Sequence, residues 1–241
     1  MAPRHARVQF APIVWSGTLL PLGDRALTVD ISANDGVPPR ALVRSLEARL
    51  SADAPPGISA LVPAIQSLTI HYDPRRTSFV MLCDYLAAAM ATLVITPERD
   101  AEPIVIPVCY GGEFGPDLAD VATAHQTTPD AIVAAHCDGL YTVAMIGFLP
   151  GFPYLEGLDA SLHTPRRSSP RTAVPAGSVG IGGSSTGVYP FTSPGGWHII
   201  GRTPRALFST RREQPSLLQA GDKVRFVGIT AAALRALAEQ P

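Results

Sequence analysis

The feature that most constrains this fold is a change of texture near residue 100. In the first hundred residues, apolar side chains recur at helix or strand spacing, whereas from Leu140 onward glycine and proline interrupt every apolar run. Glycine and proline break helices and mark turns, so the second part cannot be built from long helices. We therefore expect two domains of different kinds, residues 1–100 and 101–241, joined by the charged, proline-bearing segment Pro97–Pro103.

The first domain is predicted to be a small α/β unit. Short segments rich in β-branched residues predict strands, and amphipathic segments predict helices. A turn at Asn34–Gly36 and a Pro38-Pro39 start precede the first helix. The order strand, helix, strand, strand, helix, strand is that of a ferredoxin-like split βαβ unit, and its elements are Ala26–Ile31, Leu42–Leu50, Ile58–Val62, Ser67–Tyr72, Phe79–Met90 and Ile104–Val108.

The second domain is predicted to be a β-barrel or sandwich. It begins with two short helices, Pro116–His125 and one whose Thr128-Pro129-Asp130 start has an N-cap threonine and an N1 proline. Short apolar runs separated by turn-rich stretches follow, and a helix at Ala231–Glu239 ends the chain. The overall class is α+β, and the apolar runs are Tyr141–Phe148, Trp197–Ile200 and Lys223–Ile229.

Composition excludes several classes of protein. The formal net charge is −1, from 19 basic and 20 acidic residues mixed along the chain, which argues against nucleic-acid binding. No apolar run has membrane-spanning length, and residues 1–10 are too polar for a signal-peptide core, so we expect a cytoplasmic protein. Cys83, Cys109 and Cys137 form no CxxC pair and are expected to be buried thiols.

Two motifs that resemble catalytic signatures fail their context tests. Gly183–Gly187 fits GxSxG, but a nucleophile elbow needs a helix after the serine, and Pro190 and Pro194 forbid one. The nearby glycines do not form a Walker loop, because the only lysine, Lys223, lies far beyond them. The six histidines form no HxH or HExxH pair, so we expect no metal site.

Arginine, aromatic and small residues are dense on consecutive loops of the second domain. Arginine forks bind carboxylates and phosphates, and glycine-rich turns let backbone N–H groups approach an anion. This composition favours a site for an anionic small molecule, although solvated arginines paired with acids would give the same pattern. The segments are Arg166–Arg171, Pro175–Ser178, Thr186–Tyr189 and Ser193–Arg202.

Several long motifs in these segments resemble the 5-oxoprolinase B-subunit family. That family includes allophanate hydrolase subunit 1, sporulation-kinase inhibitor homologues and a segment of the urea carboxylase carboxyltransferase domain. The motifs, together with Gly23-Asp24-Arg25, His136 and Tyr141, cover nearly the whole chain and are Gly147–Leu155, Pro165–Arg171, Val174–Val179, Thr186–Pro190, Ser193–Thr203 and Gly221–Phe226.

The resemblance implies a cyclophilin-like β-barrel and a place in a multi-subunit enzyme. It implies pairing with a homologous C subunit, in a heterodimer or heterotetramer, and cooperation with an A subunit. The assembly would convert 5-oxo-L-proline to L-glutamate with ATP hydrolysis, and no biotin attachment signal is present. One departure is Ser185, which stands where the family usually has Gln, so substrate specificity would differ if that amide contacts the substrate.

For this chemistry, cationic donors that hold developing negative charge matter more than a nucleophile. We therefore predict anion clamps at Arg166, Arg171 and Arg202, and proton carriers at His136 and His198. The remaining predicted site residues line the substrate or nucleotide site, and they are Gly177, Ser178, Thr186 and Tyr189. Alternation along a strand would point His198 and Arg202 to one face.

The partner and the reaction have alternatives. The aromatic residues Phe148, Phe152, Tyr154 and Trp197 predict an exposed interface for the C subunit. The urea carboxylase resemblance implies an accessory role in urea metabolism, and the sporulation branch implies a non-enzymatic inhibitor of a histidine kinase. The sequence leaves open which subunit holds ATP.

Overall fold

The computed structural model describes residues 6–9, 15–33, 37–95 and 101–239. The chain divides into two compact units, residues 1–98 and 99–241. Residues 97–100 of the predicted linker and the predicted turn at Asn34–Gly36 lie outside the described residues.

The first unit is a five-stranded antiparallel sheet with two helices packed against it. The strand order is β1-β2-β3-β5-β4. Alternate residues of β3 and one face of α1 are buried, among them Leu27, Val29, Leu42 and Leu46. The elements are β1 (Ala6–Gln9), β2 (Trp15–Leu22), β3 (Ala26–Ala33), α1 (Pro39–Ala52), β4 (Ile58–Pro63), β5 (Ser67–Tyr72) and α2 (Phe79–Ala91).

The ferredoxin-like prediction was wrong in its last strand. The segment predicted as that strand, Ile104–Val108, belongs to the barrel of the second unit. Its place beside β3 is taken by β2, which pairs with β3 along its full length through a tight turn at Gly23. The strand at Trp15–Leu22 was missed because Gly17 and Pro21 interrupt its apolar pattern.

The second unit is built on a closed barrel, which confirms the prediction of a β-barrel. The strand order is β10-β11-β8-β7-β14-β6-β13, and only the β14–β6 pair is parallel among these strands. The strands are β6 (Ile104–Tyr110), β7 (Tyr141–Ile146), β8 (Pro153–Glu156), β9 (Arg171–Val174), β10 (Ser178–Gly182), β11 (Ser185–Val188), β12 (Ser193–Gly195), β13 (His198–Arg202) and β14 (Lys223–Gly228).

The barrel is filled by branched and aromatic side chains, and β9 and β12 form a separate two-stranded sheet. Gly183 and Ser184 form the turn between β10 and β11, and β11 begins at Ser185, inside the GxSxG motif, so the helix that a nucleophile elbow requires is absent there. The core includes Ile106, Val108, Val143, Leu155, Val179, Ile181, Val188, Ile200, Val224 and Phe226.

Among the described residues, three α-helices pack against strands of the barrel, namely α3 (Leu118–Ala124), α4 (Pro129–Asp138) and α5 (Ala231–Ala238). Thr128 caps α4 as predicted, because its side chain accepts a hydrogen bond from the Ala131 N–H. Within the described ranges, no helix is both long and apolar enough to span a membrane. All three cysteines are free, but only Cys109 is buried; Cys83 and Cys137 are half-buried, so that prediction was wrong for two of them.

A fully buried histidine, His136, fastens α4 to the barrel. Its Nε2 lies 2.9 Å from the Thr186 hydroxyl, which itself donates to the Gly180 carbonyl. The Thr186 oxygen therefore accepts from His136 Nε2–H, and Nδ1 accepts from the Tyr110 hydroxyl at 2.8 Å. The ring also stacks on Phe226, with centroids 4.6 Å apart.

This buried histidine should make folding stability depend on pH. Burial lowers the pKa of His136 from 6.5 to about 3, so below about pH 6.5 the unfolded chain binds a proton that the folded chain does not. The free energy of unfolding should therefore fall as the pH falls, by about 2 kcal/mol between pH 7 and pH 5 from this group. Chemical denaturation at several pH values gives the slope of the free energy of unfolding against pH. His136→Gln should lack the slope that the wild type shows between pH 7 and pH 5.

The comparison is between slopes, so a general loss of stability in His136→Gln does not affect it. Tyr110→Phe is the matched control, because it removes the hydroxyl bonded to Nδ1 and keeps the buried ring; its slope should equal that of the wild type. An unchanged slope in His136→Gln would show that His136 is not held neutral in the folded protein.

Candidate functional site

A cluster of aromatic side chains lies outside the barrel interior. Phe152, Tyr189 and Trp197 are almost fully buried, and their rings meet edge to face, with Phe152 lying 5.1 Å from Tyr189 and 5.5 Å from Trp197. Trp197 packs on the backbone at Gly182, where a Cβ atom would come within 2.5 Å of the indole nitrogen. The cluster is therefore a fixed platform that depends on a glycine in β10.

This platform forms the floor of a cavity of about 300 Å³, which we call the aromatic cavity. Arg166 and Arg167 supply its positive charge, and Pro170 and the segment Pro194–Gly196, at the end of β12, complete its wall. Flat aromatic walls with a few charged groups are the usual lining of a small-molecule site. The aromatic members of the lining are Phe148, Phe152, Tyr154, Tyr189 and Trp197.

The loop of residues 165–170, which carries Arg166 and Arg167 and which we call the arginine loop, also lines a second cavity of about 390 Å³, the polar cavity. Arg166 and Arg167 line both cavities. The rest of the polar cavity's lining consists of Ala124, Thr164, Pro165, Ser168, Ser169 and His198.

The arginine loop is held by one buried carboxylate, Asp117, which is 2% exposed. Arg171 donates to both of its oxygens, at 2.7 and 2.6 Å, and Arg167 Nη1 donates to Oδ1 at 3.0 Å. The Ile199 N–H donates to Oδ2 at 2.7 Å. Asp117 therefore connects the start of α3, the loop before β9 and strand β13.

The backbone before Asp117 lies directly against β13. A Cβ atom at Gly115 would be only 2.0 Å from the Ile200 carbonyl oxygen, so only glycine fits there. The Asp117 N–H donates to the Ile199 carbonyl at 2.9 Å, while its side chain makes no capping bond to α3. The Asp117 carboxylate therefore binds Arg167 and Arg171 and does not cap α3.

The electrostatics of this group favour an ionised carboxylate. Burial acts to raise the pKa of Asp117, but hydrogen bonds from Arg171 and from the Ile199 N–H, with the charges of Arg171 and Arg167, lower the pKa below its ordinary value. One carboxylate neutralises one of the two arginines, so the group keeps a net positive charge. Arg166 adds a second positive charge where the cavities meet.

The structure brings only part of the predicted site together. Arg166 and Tyr189 line the aromatic cavity, and Arg166 and His198 line the polar cavity. Arg171, predicted as an anion clamp, has its fork taken by Asp117. His136, predicted as a proton carrier, has both ring nitrogens bonded in the barrel core, which favours a structural role.

Neither cavity is lined by the other predicted residues, which are Arg202, Ser178, Thr186 and Gly177. A bulge at Ile200 breaks the alternation of β13, so His198 bonds to the Pro165 carbonyl while Arg202 lies over the Phe114 ring, 5.5 Å from its centroid. Ser178 and Thr186 are fully buried. Gly177 has φ +79°, and a Cβ there would come within 2.4 Å of the Thr203 carbonyl oxygen, so Gly177 shapes a turn.

Sequence reasoning missed Asp117 and did not select Arg167. A carboxylate at a helix start ordinarily indicates a cap, and nothing in the sequence connects it to arginines fifty residues later. The predicted exposed aromatic interface was wrong for Phe152 and Trp197, which are 1% and 5% exposed. Only Phe148, 59% exposed, stands out from the platform.

Among residues 15–33, 37–95 and 101–239, no three His, Cys, Asp or Glu side chains lie together in a way that could hold a metal ion. The lysine Nζ of Lys223 donates to the Thr142 hydroxyl at 2.8 Å, and Lys223 lines neither cavity.

Comparison with known proteins gives one consistent result. Residues 18–218 match the family described as carboxyltransferase domain, subdomain C and D. The 5-oxoprolinase B subunit of Haemophilus influenzae is 53% identical over 170 residues, which are 70% of this chain and 79% of that protein. The protein of the same name from Bacillus subtilis is 41% identical over 219 residues, 87% of this chain and 91% of that protein.

Solved structures agree on the fold. The structure of TTHA0988 superposes with a TM-score of 0.73 at 36% identity and covers 86% of this chain; the match spans only 40% of TTHA0988. The urea carboxylase of Kluyveromyces lactis has a TM-score of 0.78 over 97% of this chain and 24% of its own, at 18% identity. The second likeness concerns the fold alone.

Removing the Asp117 carboxylate should destabilise the protein strongly. Asp117→Asn leaves two arginines without their anion, which costs about 3–5 kcal/mol for a buried pair. Because Arg167 and Arg171 keep 30% and 27% of their side chains exposed, we expect a loss of about 3 kcal/mol. Chemical denaturation at pH 7 measures it.

Asp120→Asn is the control, since Asp120 is exposed on the same helix and its replacement removes the same charge. It should change the free energy of unfolding by less than about 0.5 kcal/mol. Equal losses in the two variants would show that net charge, and not the Asp117 contacts, is responsible.

Proposed function

The chain belongs to the 5-oxoprolinase B-subunit family, within the carboxyltransferase domain, subdomain C and D, and from this premise we propose that it acts as the B subunit of an ATP-dependent 5-oxoprolinase. In this proposal it works with the A and C subunits to convert 5-oxo-L-proline to L-glutamate while ATP is hydrolysed. The finer assignments of a cyclophilin-like barrel and a cytoplasmic location belong to the same proposal.

One observation supports a direct role of this chain at the substrate. The aromatic cavity combines flat apolar walls with Arg166 and Arg167, and 5-oxoproline combines a flat lactam ring with a carboxylate. Guanidinium forks bind carboxylates through paired hydrogen bonds. We propose that the ring lies against the Phe152 and Trp197 platform and that Arg166 binds the carboxylate.

The chemistry required is the activation of a poor electrophile. A lactam carbonyl reacts only slowly with water. Transfer of a phosphoryl group from ATP to the carbonyl oxygen, with release of ADP, would create a group that water attacks readily. Negative charge then develops close to the arginine loop, where fixed guanidinium groups stabilise it without reorganisation. Asp117 supplies this fixation for Arg167, so Asp117 contributes to catalysis through positioning in this proposal.

The partners and cofactors follow from the same premise. The C subunit, in a heterodimer or heterotetramer with this chain, and the A subunit complete the proposed enzyme, and ATP is shared by the assembly. No metal or biotin is assigned to this chain. Phe148, exposed at the rim of the aromatic cavity, is the residue through which a partner could close that cavity.

The alternatives have less support. A role in urea metabolism rests on weaker likenesses, 28% identity over 124 residues to a putative urea carboxylase of Emericella nidulans and 18% to the solved urea carboxylase. The 5-oxoprolinase relatives are 53% and 41% identical. A kinase inhibitor would need a surface for its target and would not need two arginines beside an aromatic cavity. Genes for the A and C subunits beside this gene would favour the oxoprolinase.

Replacing Arg166 with Lys tests the assignment. Lysine keeps the charge and loses the bidentate fork, so the change is not conservative at a carboxylate clamp. Oxoproline-dependent ATP hydrolysis by the co-purified A, B and C subunits should fall at least about tenfold, or roughly 1.4 kcal/mol of transition-state stabilisation. Assembly should be unchanged.

Two other substitutions are read in the same assay. Arg225→Lys, on the exposed face of β14, is the control and should leave turnover at the wild-type level. Arg202→Lys tests the sequence-based prediction for Arg202. A large loss in Arg202→Lys with none in Arg166→Lys would contradict the cavity assignment and support the sequence-based one.

A further inference from the structure

The polar cavity has a chemistry different from that of the aromatic cavity, although both share the arginine loop. Its lining carries two guanidinium groups and contains no carboxylate among the described residues. Asp117 is the anion nearest to this loop in the hydrogen-bond network, and it is already shared between Arg167 and Arg171. The cavity is therefore a positively charged depression on a protein of net charge −1.

The number and type of donors favour a phosphate over a carboxylate. A carboxylate has two oxygens and is satisfied by a single arginine fork, whereas a phosphate group presents three or more oxygens and needs donors from several sides. The polar cavity offers Arg166, Arg167 and the hydroxyl groups of Ser168 and Ser169. The Thr164 hydroxyl is not available in the same way, because it donates to the Leu162 carbonyl and contacts His125.

One donor among the residues that line the cavity is unsatisfied. Arg167 Nε is buried and has no hydrogen-bond partner among the described residues. His198 Nε2 donates to the Pro165 carbonyl at 3.0 Å, which fixes the ring against the arginine loop. Unsatisfied buried polar groups are uncommon in folded proteins and often mark a site where a bound group completes the bonding.

We infer that the polar cavity is a phosphate-binding site on this chain. The volume of about 390 Å³ is larger than one phosphate needs and accommodates a polyphosphate chain. The inference rests on the proposed function in one respect: in an ATP-dependent 5-oxoprolinase, the shared Arg166 and Arg167 would place a phosphate group beside a lactam held in the aromatic cavity. The phosphate can come from a nucleotide or can be free phosphate.

A double substitution, Ser168→Ala with Ser169→Ala, tests the inference. Both serines line the polar cavity but not the aromatic cavity. Isothermal titration calorimetry of the full chain with inorganic phosphate and with the non-hydrolysable ATP analogue AMP-PNP should show saturable binding. The double variant should bind each of them at least about tenfold more weakly, because it lacks both hydroxyl donors.

The control is Ser51→Ala, which removes an exposed hydroxyl from α1 in the other unit and should bind like the wild type. Binding of AMP-PNP at least about tenfold tighter than that of phosphate would identify a nucleotide polyphosphate as the ligand; equal affinities would identify a single phosphate group. No saturable binding by the wild type, or equal binding by the double variant, would overturn the inference.

The same measurements separate this inference from the proposed function. Oxoproline-dependent ATP hydrolysis by the assembled subunits without phosphate binding on this chain would overturn the phosphate site alone. Phosphate binding that depends on Ser168 and Ser169, with no oxoproline-dependent ATP hydrolysis by the assembly, would overturn the 5-oxoprolinase proposal and leave the site standing.

Discussion

The buried carboxylate of Asp117 is the interaction on which the arrangement of the cavities depends. It accepts hydrogen bonds from Arg167, Arg171 and the Ile199 N–H, and so joins α3, the arginine loop and β13. Burying this carboxylate without these donors would destabilise the folded protein. Without the carboxylate, the arginine side chains would lose their fixed orientation. The network thus fixes a loop that the turn-rich sequence alone would leave weakly defined.

The fixed arginine loop places positive charge at the boundary of the two cavities. One carboxylate against two arginines leaves a positive charge, and Arg166 adds another at the boundary of the two cavities. In one cavity the arginines accompany a rigid aromatic platform, and in the other they accompany hydroxyl groups. A planar, anionic substrate and a phosphate group can therefore be held by adjacent surfaces of a single loop, as the proposed reaction requires.

Much of the fold could be predicted from periodicity, because apolar residues recur at helix or strand spacing along much of the sequence. The strand Ser67–Tyr72 and the Thr128 cap of α4 match the structure. The strand at Trp15–Leu22 could not be found, since Gly17 and Pro21 break its pattern. At the site, the density of arginine and aromatic residues indicated Arg166 and Tyr189. Sequence spacing does not show which arginines are already paired, so it could not show that Arg171 is bonded to Asp117.

The pKa of the Asp117 carboxyl tests most directly whether this network holds the arginine loop. It can be followed by ¹³C NMR and assigned by the resonance that Asp117→Asn lacks. Burial and the hydrogen-bond network act on this pKa in opposite directions, so the sign of the shift decides between them. We predict a titration midpoint below 3.8, the ordinary value. A midpoint at or above 3.8 would mean that burial dominates, and would contradict the claim that Arg167, Arg171 and the Ile199 N–H hold this carboxylate in its ionised form.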